Sequence, residues 1–192
     1  MGVAGLLLRT ARQSRKFSTR ALATASGTSQ PGISSVENGR ADATATRLDK
    51  WLTPLDFQLS ILPTRLRPAF LASDDIRAAL VRADERTALR EVVQLSDDLQ
   101  RSDPATRVAL VVAPPAPTGS ARYDALLAAV VDVLLSRDGL PRPAWLDEPT
   151  RAIRDPWDFE PVLALRAAAR AATPPAAARH GIYLDPAELV SV

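Results

Sequence analysis

The hydrophobic positions in the first 58 residues recur at the spacing of short helices, with small polar residues and glycines between them. An apolar stripe at Leu6–Leu8 and Ala11 predicts a first helix. Ser18 is a suitable N-cap for a second helix, and Gly27 is suited to end it. The start of the chain is therefore predicted to be helical.

Two more short helices are predicted after Gly27. Thr28 or Ser29 can cap the third helix, and Gly39 can end it. The fourth helix is predicted to begin at about Thr44 and to end before a proline at position 54. The core of this region is predicted to contain Leu22, Ile33, Val36, Leu48 and either Trp51 or Leu52.

The longer remainder of the chain also has mostly helical spacing. Alternation in Leu55–Pro63 favours a short extended segment. Helices are then predicted from capping residues and apolar runs at Ser73–Asp75, Asp84–Glu85, Val108–Val112 and Ser120–Arg137, with an alanine-rich helix near the end. The predicted fold class is mainly α, with a four- or five-helix N-terminal domain in residues 1–58 and a larger helical C-terminal domain in residues 59–192.

The composition argues against several classes of function. The chain has no cysteine, so thiolate metal sites are excluded. It has one histidine, His180, so a Ser-His catalytic pair would have to use that residue. No window approaches the roughly 18 consecutive apolar residues of a membrane span. We found no phosphate-binding glycine loop and no metal-ligand spacing. The sequence therefore predicts no enzyme, no cofactor and no membrane partner.

Basic residues are concentrated at the N-terminal end of the chain. Residues 1–58 hold eight basic and four acidic residues, and no acidic residue precedes Glu37. A compact basic face is what phosphate binding requires. An arginine-rich, acid-free start is also typical of a mitochondrial transit peptide, but a transit peptide does not account for the helical pattern that continues past Glu37 to Leu52.

The same residues carry a resemblance. The runs 8–12, 18–23 and 27–39, read without a gap, resemble the lambda-repressor-like (Cro/cI, XRE-type) helix-turn-helix family over about residues 5–58. Two positions depart from the usual pattern: Thr28 replaces an apolar residue, and Gly32 lies within the third helix. The resemblance implies binding to double-stranded DNA, with the second helix across the backbone and the third helix in the major groove.

The resemblance also implies roles for individual residues. Gln30 is the best candidate for base readout, because its amide can pair with adenine. The alternative is that Gln30 is a solvent-exposed helix residue with no role in readout. Ser34 and Ser35 follow on the same helix as further readout candidates. Phosphate contacts are expected from Thr19, Arg20, Ser29, Arg40 and Thr46. Arg12 and Glu37 correspond to the interhelical ion pair of the family, which is a structural feature.

The C-terminal part carries a less specific resemblance. Phrases at 139–146, 155–157 and 173–183 resemble the C-terminal region of certain actinobacterial helix-turn-helix proteins, some of which are antitoxins of nucleotidyltransferase-like toxins. Trp145 and Trp157 are expected to anchor proline-rich loops, with a tryptophan-lined ligand pocket as the alternative.

The sequence therefore favours a cytoplasmic, nucleoid-associated bacterial transcription regulator, a repressor that acts as a homodimer. The alternative is an antitoxin that neutralises a toxin or other protein partner through residues 59–192.

Overall fold

The computed structural model describes residues 2–189. These residues fold into two compact units, and the boundary along the chain lies between Pro63 and Thr64. Helices dominate both units, which confirms the predicted mainly α class. The predicted domain boundary at residues 58 and 59 lies in the segment 56–68, which contains no helix or strand.

The N-terminal unit contains four α-helices. They are α1 (Val3–Ser14), α2 (Thr19–Ser26), α3 (Gln30–Glu37) and α4 (Ala45–Leu52), followed by a 3-10 turn at Thr53–Leu55. Side chains from all four helices form one core that excludes water. Trp51 and Leu52, which the sequence offered as alternatives, are both buried in this core. The core includes Leu8, Leu22, Ile33, Val36, Leu48, Trp51, Leu52 and Leu55.

Two details of this unit differ from the sequence expectation. Leu55 belongs to the 3-10 turn, so the expected extended segment does not begin there, and Phe57 and Leu59 pack against the helical core. The C-cap of α3 is Asn38, and Gly39 follows it with a φ of 68°.

The C-terminal unit is built around one long central helix. The central helix is α8 (Ala121–Arg137), and the other helices of the unit are α5 (Ala69–Val81), α6 (Glu85–Arg101), α7 (Pro104–Val112), α9 (Arg166–Ala172) and α10 (Pro175–Ala178). The thirteen consecutive residues from Tyr123 to Leu135 of α8 are all buried, and α5, α6, α7 and α10 pack against it. A helix that is buried on every face is the core of its domain.

The start of α5 differs from the predicted one. This helix begins at Ala69, after Pro68, so Ser73 lies inside it and not at its cap. The Ser73 hydroxyl donates to the Phe70 carbonyl, and Asp74 pairs with Arg77. These polar side chains are satisfied within the helix, and they therefore do not mark its beginning.

One small sheet was not predicted. The strands β1 (Trp157–Asp158) and β2 (Ile182–Tyr183) pair in parallel, with Trp157 opposite Ile182. Trp145 is buried as expected and donates its indole N–H to the Val111 carbonyl at 2.8 Å. Trp157 is half-buried and lies edge-on to Phe159, with ring centroids 5.8 Å apart.

Candidate nucleic-acid interface

The turn between α2 and α3 is set by capping residues at both ends. Ser18 caps α2, since its hydroxyl accepts the Ala21 N–H at 3.0 Å. Gly27 ends the helix in the left-handed conformation, with a φ of 59°, which favours glycine. Ser29 then begins α3 by accepting the Gly32 N–H at 3.3 Å. Two residues, Thr28 and Ser29, thus separate the C-cap of α2 from the first residue of α3.

Buried side chains fix which face of α3 is presented to solvent. Ile33 and Val36 are within 1% of complete burial, and Leu22 of α2 is fully buried. Gln30 is exposed, while Ser34 and Ser35 are half-buried. The three predicted readout residues therefore lie outside the core, on a helix whose opposite side is held by apolar packing.

Gln30 is linked to the start of α2. Its side-chain amide Nε2 donates to the Thr19 hydroxyl at 3.4 Å, a long hydrogen bond between exposed groups. The side-chain oxygen Oε1 of Gln30 has no hydrogen-bond partner among the described residues. The contact orients Gln30 at the N-terminal end of α3 and brings a readout candidate next to a phosphate candidate.

Ser34 has a local partner. Its hydroxyl accepts from the Asn38 amide at 3.2 Å, which leaves the Ser34 proton available for an acceptor outside the domain. Ser35 makes no side-chain hydrogen bond within residues 2–189.

The other predicted phosphate residues can still donate hydrogen bonds to a ligand. Arg20, Arg40 and Thr46 are exposed, and within the described part of the chain their side chains make no hydrogen bond or ion pair. The Ser29 hydroxyl accepts the cap bond of α3, so its proton is free to donate. In residues 2–41 the only carboxylate is that of Glu37, and Arg12 neutralises it.

Arg12 and Glu37 form a bidentate ion pair between α1 and α3. Arg12 Nε lies 2.7 Å from Glu37 Oε1, and its second nitrogen lies 2.7 Å from Glu37 Oε2. Both side chains are largely buried, with 13% and 5% of their surfaces exposed. Parallel hydrogen bonds of this kind fix an angle as well as a distance, so the pair holds α3 against α1.

Two further arginines of α1 are occupied by contacts inside the unit. Arg9 donates to the Glu37 carbonyl and to the Asn38 side chain, at the end of α3. Arg15 donates to the Leu55 carbonyl at 2.9 Å and lies over the Phe57 ring. These contacts hold α1 against the rest of the unit, and each uses one nitrogen of the guanidinium group.

Arg47 is the residue that the sequence reasoning missed. Its guanidinium lies over the buried Trp51 ring, 4.6 Å from the centroid, one turn further along α4. It has no carboxylate partner among the described residues. A β-carbon added at Gly32 would lie 3.2 Å from the Arg47 nitrogen, so this position of α3 gives Arg47 room beside the exposed helix.

The sequence did contain a signal for Arg47. Arginine and tryptophan four residues apart lie on one face of a helix, where the guanidinium can stack on the indole. A glycine inside a helix also signals a close approach, because it is otherwise less favourable there than alanine.

Comparison with known families agrees with this geometry. Residues 8–62 match the family model described as helix-turn-helix. Over these residues the match confirms the predicted resemblance to the lambda-repressor-like helix-turn-helix family. This family consists of DNA-binding regulators, so the domain indicates a DNA-binding protein. Searches of curated proteins and of solved structures found no match. The family match ends at residue 62, and the resemblance of the C-terminal part to actinobacterial regulators stays a prediction.

The C-terminal unit has one densely paired buried carboxylate. Asp132 is fully buried in α8 and accepts hydrogen bonds from Arg142, Arg179, His180 and Ser136. Burial favours the neutral acid, but the hydrogen bonds from His180 and Arg142 and the charges of the arginines outweigh it and hold the pKa of Asp132 well below 3.8. The network ties α8 to the segments on both sides of β1.

Two further acidic side chains of this unit pair with arginines. Asp147 pairs with Arg142 at 3.0 Å, and Asp158 pairs with Arg170 at 2.5 Å. The hydrogen bond from Arg170 lowers the pKa of Asp158. Within residues 2–189 no group of three histidine or acidic side chains is placed to hold a metal ion. No helix in the same residues is long and apolar enough to cross a membrane.

Proposed function

We propose that the protein is a sequence-specific transcription regulator that binds an operator as a homodimer and represses by blocking polymerase. The observation that carries the proposal is the exposed N-terminal end of α3, where Gln30 is oriented by Thr19 at 3.4 Å and has an unpartnered carbonyl. In a helix-turn-helix, the polar side chains at the N-terminal end of the second helix of the motif contact base edges in the major groove.

Gln30 suits readout of adenine. A glutamine amide can accept from adenine N6 and donate to adenine N7 in one plane. The Nε2 group that now donates to Thr19 has a second proton, so a base contact does not require the loss of the Thr19 contact. Ser34 and Ser35 extend the same face by about one turn and can reach neighbouring bases or phosphates.

The phosphate contacts would surround this face. Thr19 and Arg20 are at the start of α2, Ser29 at the start of α3, and Thr46 in the first turn of α4. Arg40 follows α3, and we add Arg47 to this set because its charge has no internal carboxylate. Such contacts position a protein on DNA without reading sequence.

A dimer is part of the proposal because one domain of this size reads few base pairs. Two copies on a pseudo-palindrome would place their reading helices about 34 Å apart, or a multiple of that distance. A regulator of this kind acts in the cytoplasm, on the nucleoid. The antitoxin alternative has no described contact in its favour, and co-purification with the product of a neighbouring gene would support it.

The decisive experiment is selection of bound DNA from a random pool with the full chain. We expect a defined, roughly palindromic motif at low and at moderate salt. Gln30→Ala should relax the preference at one base pair per half-site, at a cost of about 1–3 kcal/mol. Gln58→Ala, an exposed glutamine in the same unit but outside α3, should leave the motif unchanged.

Two results would contradict the proposal. Failure to enrich any motif at either salt concentration overturns sequence-specific binding. A complex that contains one copy of the chain per operator, measured by light scattering, overturns the dimer. A motif that is unchanged in Gln30→Ala would remove Gln30 from the readout residues.

A further inference from the structure

The C-terminal unit contains a cavity beside its central helix. The cavity has a volume of about 490 Å³ and lies between α6, α8 and the segment that includes α10. Its walls are mainly apolar, with Val133 and Leu134 on α8 and Pro174, Pro175 and Ala176 opposite them. A concave apolar site of this size matches the sites that proteins use for small molecules.

Two arginines line the cavity. They are Arg137 at the end of α8 and Arg179 just after α10, and about half of each side chain is exposed. No described side chain that lines the cavity is a carboxylate. The lining thus combines a low-dielectric apolar wall with cationic groups that can reach an anion.

The charge of these arginines is only partly neutralised. Arg179 reaches Asp132 at 3.0 Å, but Arg142 contacts the same carboxylate. Arg137 reaches Asp138 at 3.0 Å, but the buried Arg107 also contacts that carboxylate. Among the described residues, the four guanidinium groups of Arg107, Arg137, Arg142 and Arg179 pair with three carboxylates, those of Asp132, Asp138 and Asp147. These four arginines therefore outnumber the carboxylates that they contact.

Polar groups in the wall add hydrogen-bonding capacity. The Gln100 side-chain Nε2 donates to the Ser96 hydroxyl at 3.1 Å, and the side-chain oxygen Oε1 of Gln100 has no partner in the described residues. Ser96 is fully buried. A ligand that carries a hydroxyl or N–H beside its apolar body would find an acceptor here.

We propose that this cavity is an effector site for a small organic acid with an apolar body. The carboxylate would bind Arg137 and Arg179 at the mouth, and the body would contact Val133, Leu134 and the prolines. Since Arg179 also belongs to the Asp132 network, the acid would compete with Asp132 for this guanidinium, which couples occupancy to the packing of α10 on α8. The effector role rests on the proposed regulator function.

The test uses the full chain and two probe acids, octanoate and 1-naphthylacetate, with their neutral amides as matched ligands. Binding is measured by calorimetry and by the rise in melting temperature that ligand binding produces. We expect both acids to bind and the amides to bind at least tenfold more weakly. Arg137→Gln should weaken the acids about tenfold, since it removes a charge-assisted contact. Arg90→Gln, an exposed arginine outside the cavity lining, should not.

Each other outcome counts against the proposal. No binding of either acid at millimolar concentration overturns the site. Equal binding of acids and amides overturns the acid class, and equal effects of Arg137→Gln and Arg90→Gln overturn the location. Binding that leaves the affinity for the selected DNA motif unchanged overturns the effector role. Failure to select any DNA motif overturns the regulator function, while the calorimetric result on the cavity is unaffected by it.

Discussion

At the residue scale, Arg47 links the packing of the N-terminal domain to its proposed DNA contacts. The guanidinium is stacked on Trp51 and lies against Gly32, and it has no carboxylate partner among the described residues. We expect Arg47→Gln to weaken binding to all DNA sequences and to lower the salt dependence of log K by about one unit, without a change of motif. Titrations of one operator at several salt concentrations measure this effect.

A second substitution tests whether Gly32 serves Arg47. Gly32→Ala places a β-carbon 3.1 Å from the Ser29 hydroxyl oxygen and 3.2 Å from an Arg47 nitrogen, so both side chains must shift by a few tenths of an ångström. We expect Gly32→Ala to weaken DNA binding in the wild-type background and to have a smaller effect in Arg47→Gln, where only the Ser29 contact remains. Additive losses in the double variant would show that Gly32 acts independently of Arg47.

The Arg12–Glu37 pair gives a prediction on stability. Glu37→Met leaves a largely buried guanidinium without its carboxylate, so the free energy of unfolding should fall by about 3 kcal/mol. Arg12→Met combined with Glu37→Met should recover at least half of this loss, since no uncompensated charge then remains. Urea unfolding followed by circular dichroism measures both. Equal losses in the single and double variants would mean that packing and not charge pairing is responsible.

At the scale of elements, the packing of α1 on α3 depends on a glycine. A β-carbon at Gly5 would lie 2.2 Å from the Val36 carbonyl oxygen, and this backbone cannot yield without moving α3. We expect Gly5→Ala to lower the free energy of unfolding by about 2 kcal/mol and to reduce DNA affinity together with it.

The matched control for Gly5 is Gly2, where an added β-carbon meets nothing within 4 Å. Gly2 is the N-cap of α1, so Gly2→Ala should lower the free energy of unfolding by at most about 1 kcal/mol, and it should leave DNA affinity unchanged. If Gly5→Ala weakened neither property, α1 and α3 could move apart without loss of stability or DNA affinity. The close approach at Gly5 would then be unimportant for both.

Helix boundaries were predictable where the cap is local. Ser18, Ser29, Thr44 and Asp84 begin helices as expected, because each side chain accepts an N–H only two or three residues ahead. The predicted start of α5 was wrong because the polar side chains at 73–75 have partners other than the N–H groups of a helix start. Asp75 pairs with Arg67, for example, at 2.7 Å. A capping pattern competes with tertiary contacts that the pattern itself does not reveal.

At the scale of the whole molecule, Asp132 makes the stability of the C-terminal unit sensitive to acid. Its pKa is lowered in the folded state, so its contribution is fully present above its ordinary pKa of 3.8 and is lost as the pH falls below that value. We expect the free energy of unfolding to decline from about pH 4 downward. Urea unfolding at intervals between about pH 5 and pH 2.5 measures this.

Asp132→Asn tests the assignment. It should cost about 3 kcal/mol at pH 5, because Arg142 and Arg179 lose their shared carboxylate, and it should flatten the decline below pH 4. Asp155→Asn, an exposed carboxylate outside the network, should leave both unchanged. A decline of the same steepness in Asp132→Asn and the wild type would place the acid sensitivity elsewhere.

The sequence by itself determined the helical class, the four N-terminal helices and the candidate reading helix. Capping, helical spacing and the register of the helix-turn-helix all act over a few residues, so they can be recognised without knowing what lies beside them. Arg12 and Glu37, which the resemblance placed together, are in contact in the structure.

Only the tertiary structure decided the features that depend on distant residues. The position of Arg47 beside Gly32, the Asp132 network and the cavity between α6, α8 and α10 each bring together residues far apart in the chain. The paired strands β1 and β2 do the same over two residues each. Long-range packing and shared charges fix these features, and no periodic pattern records them.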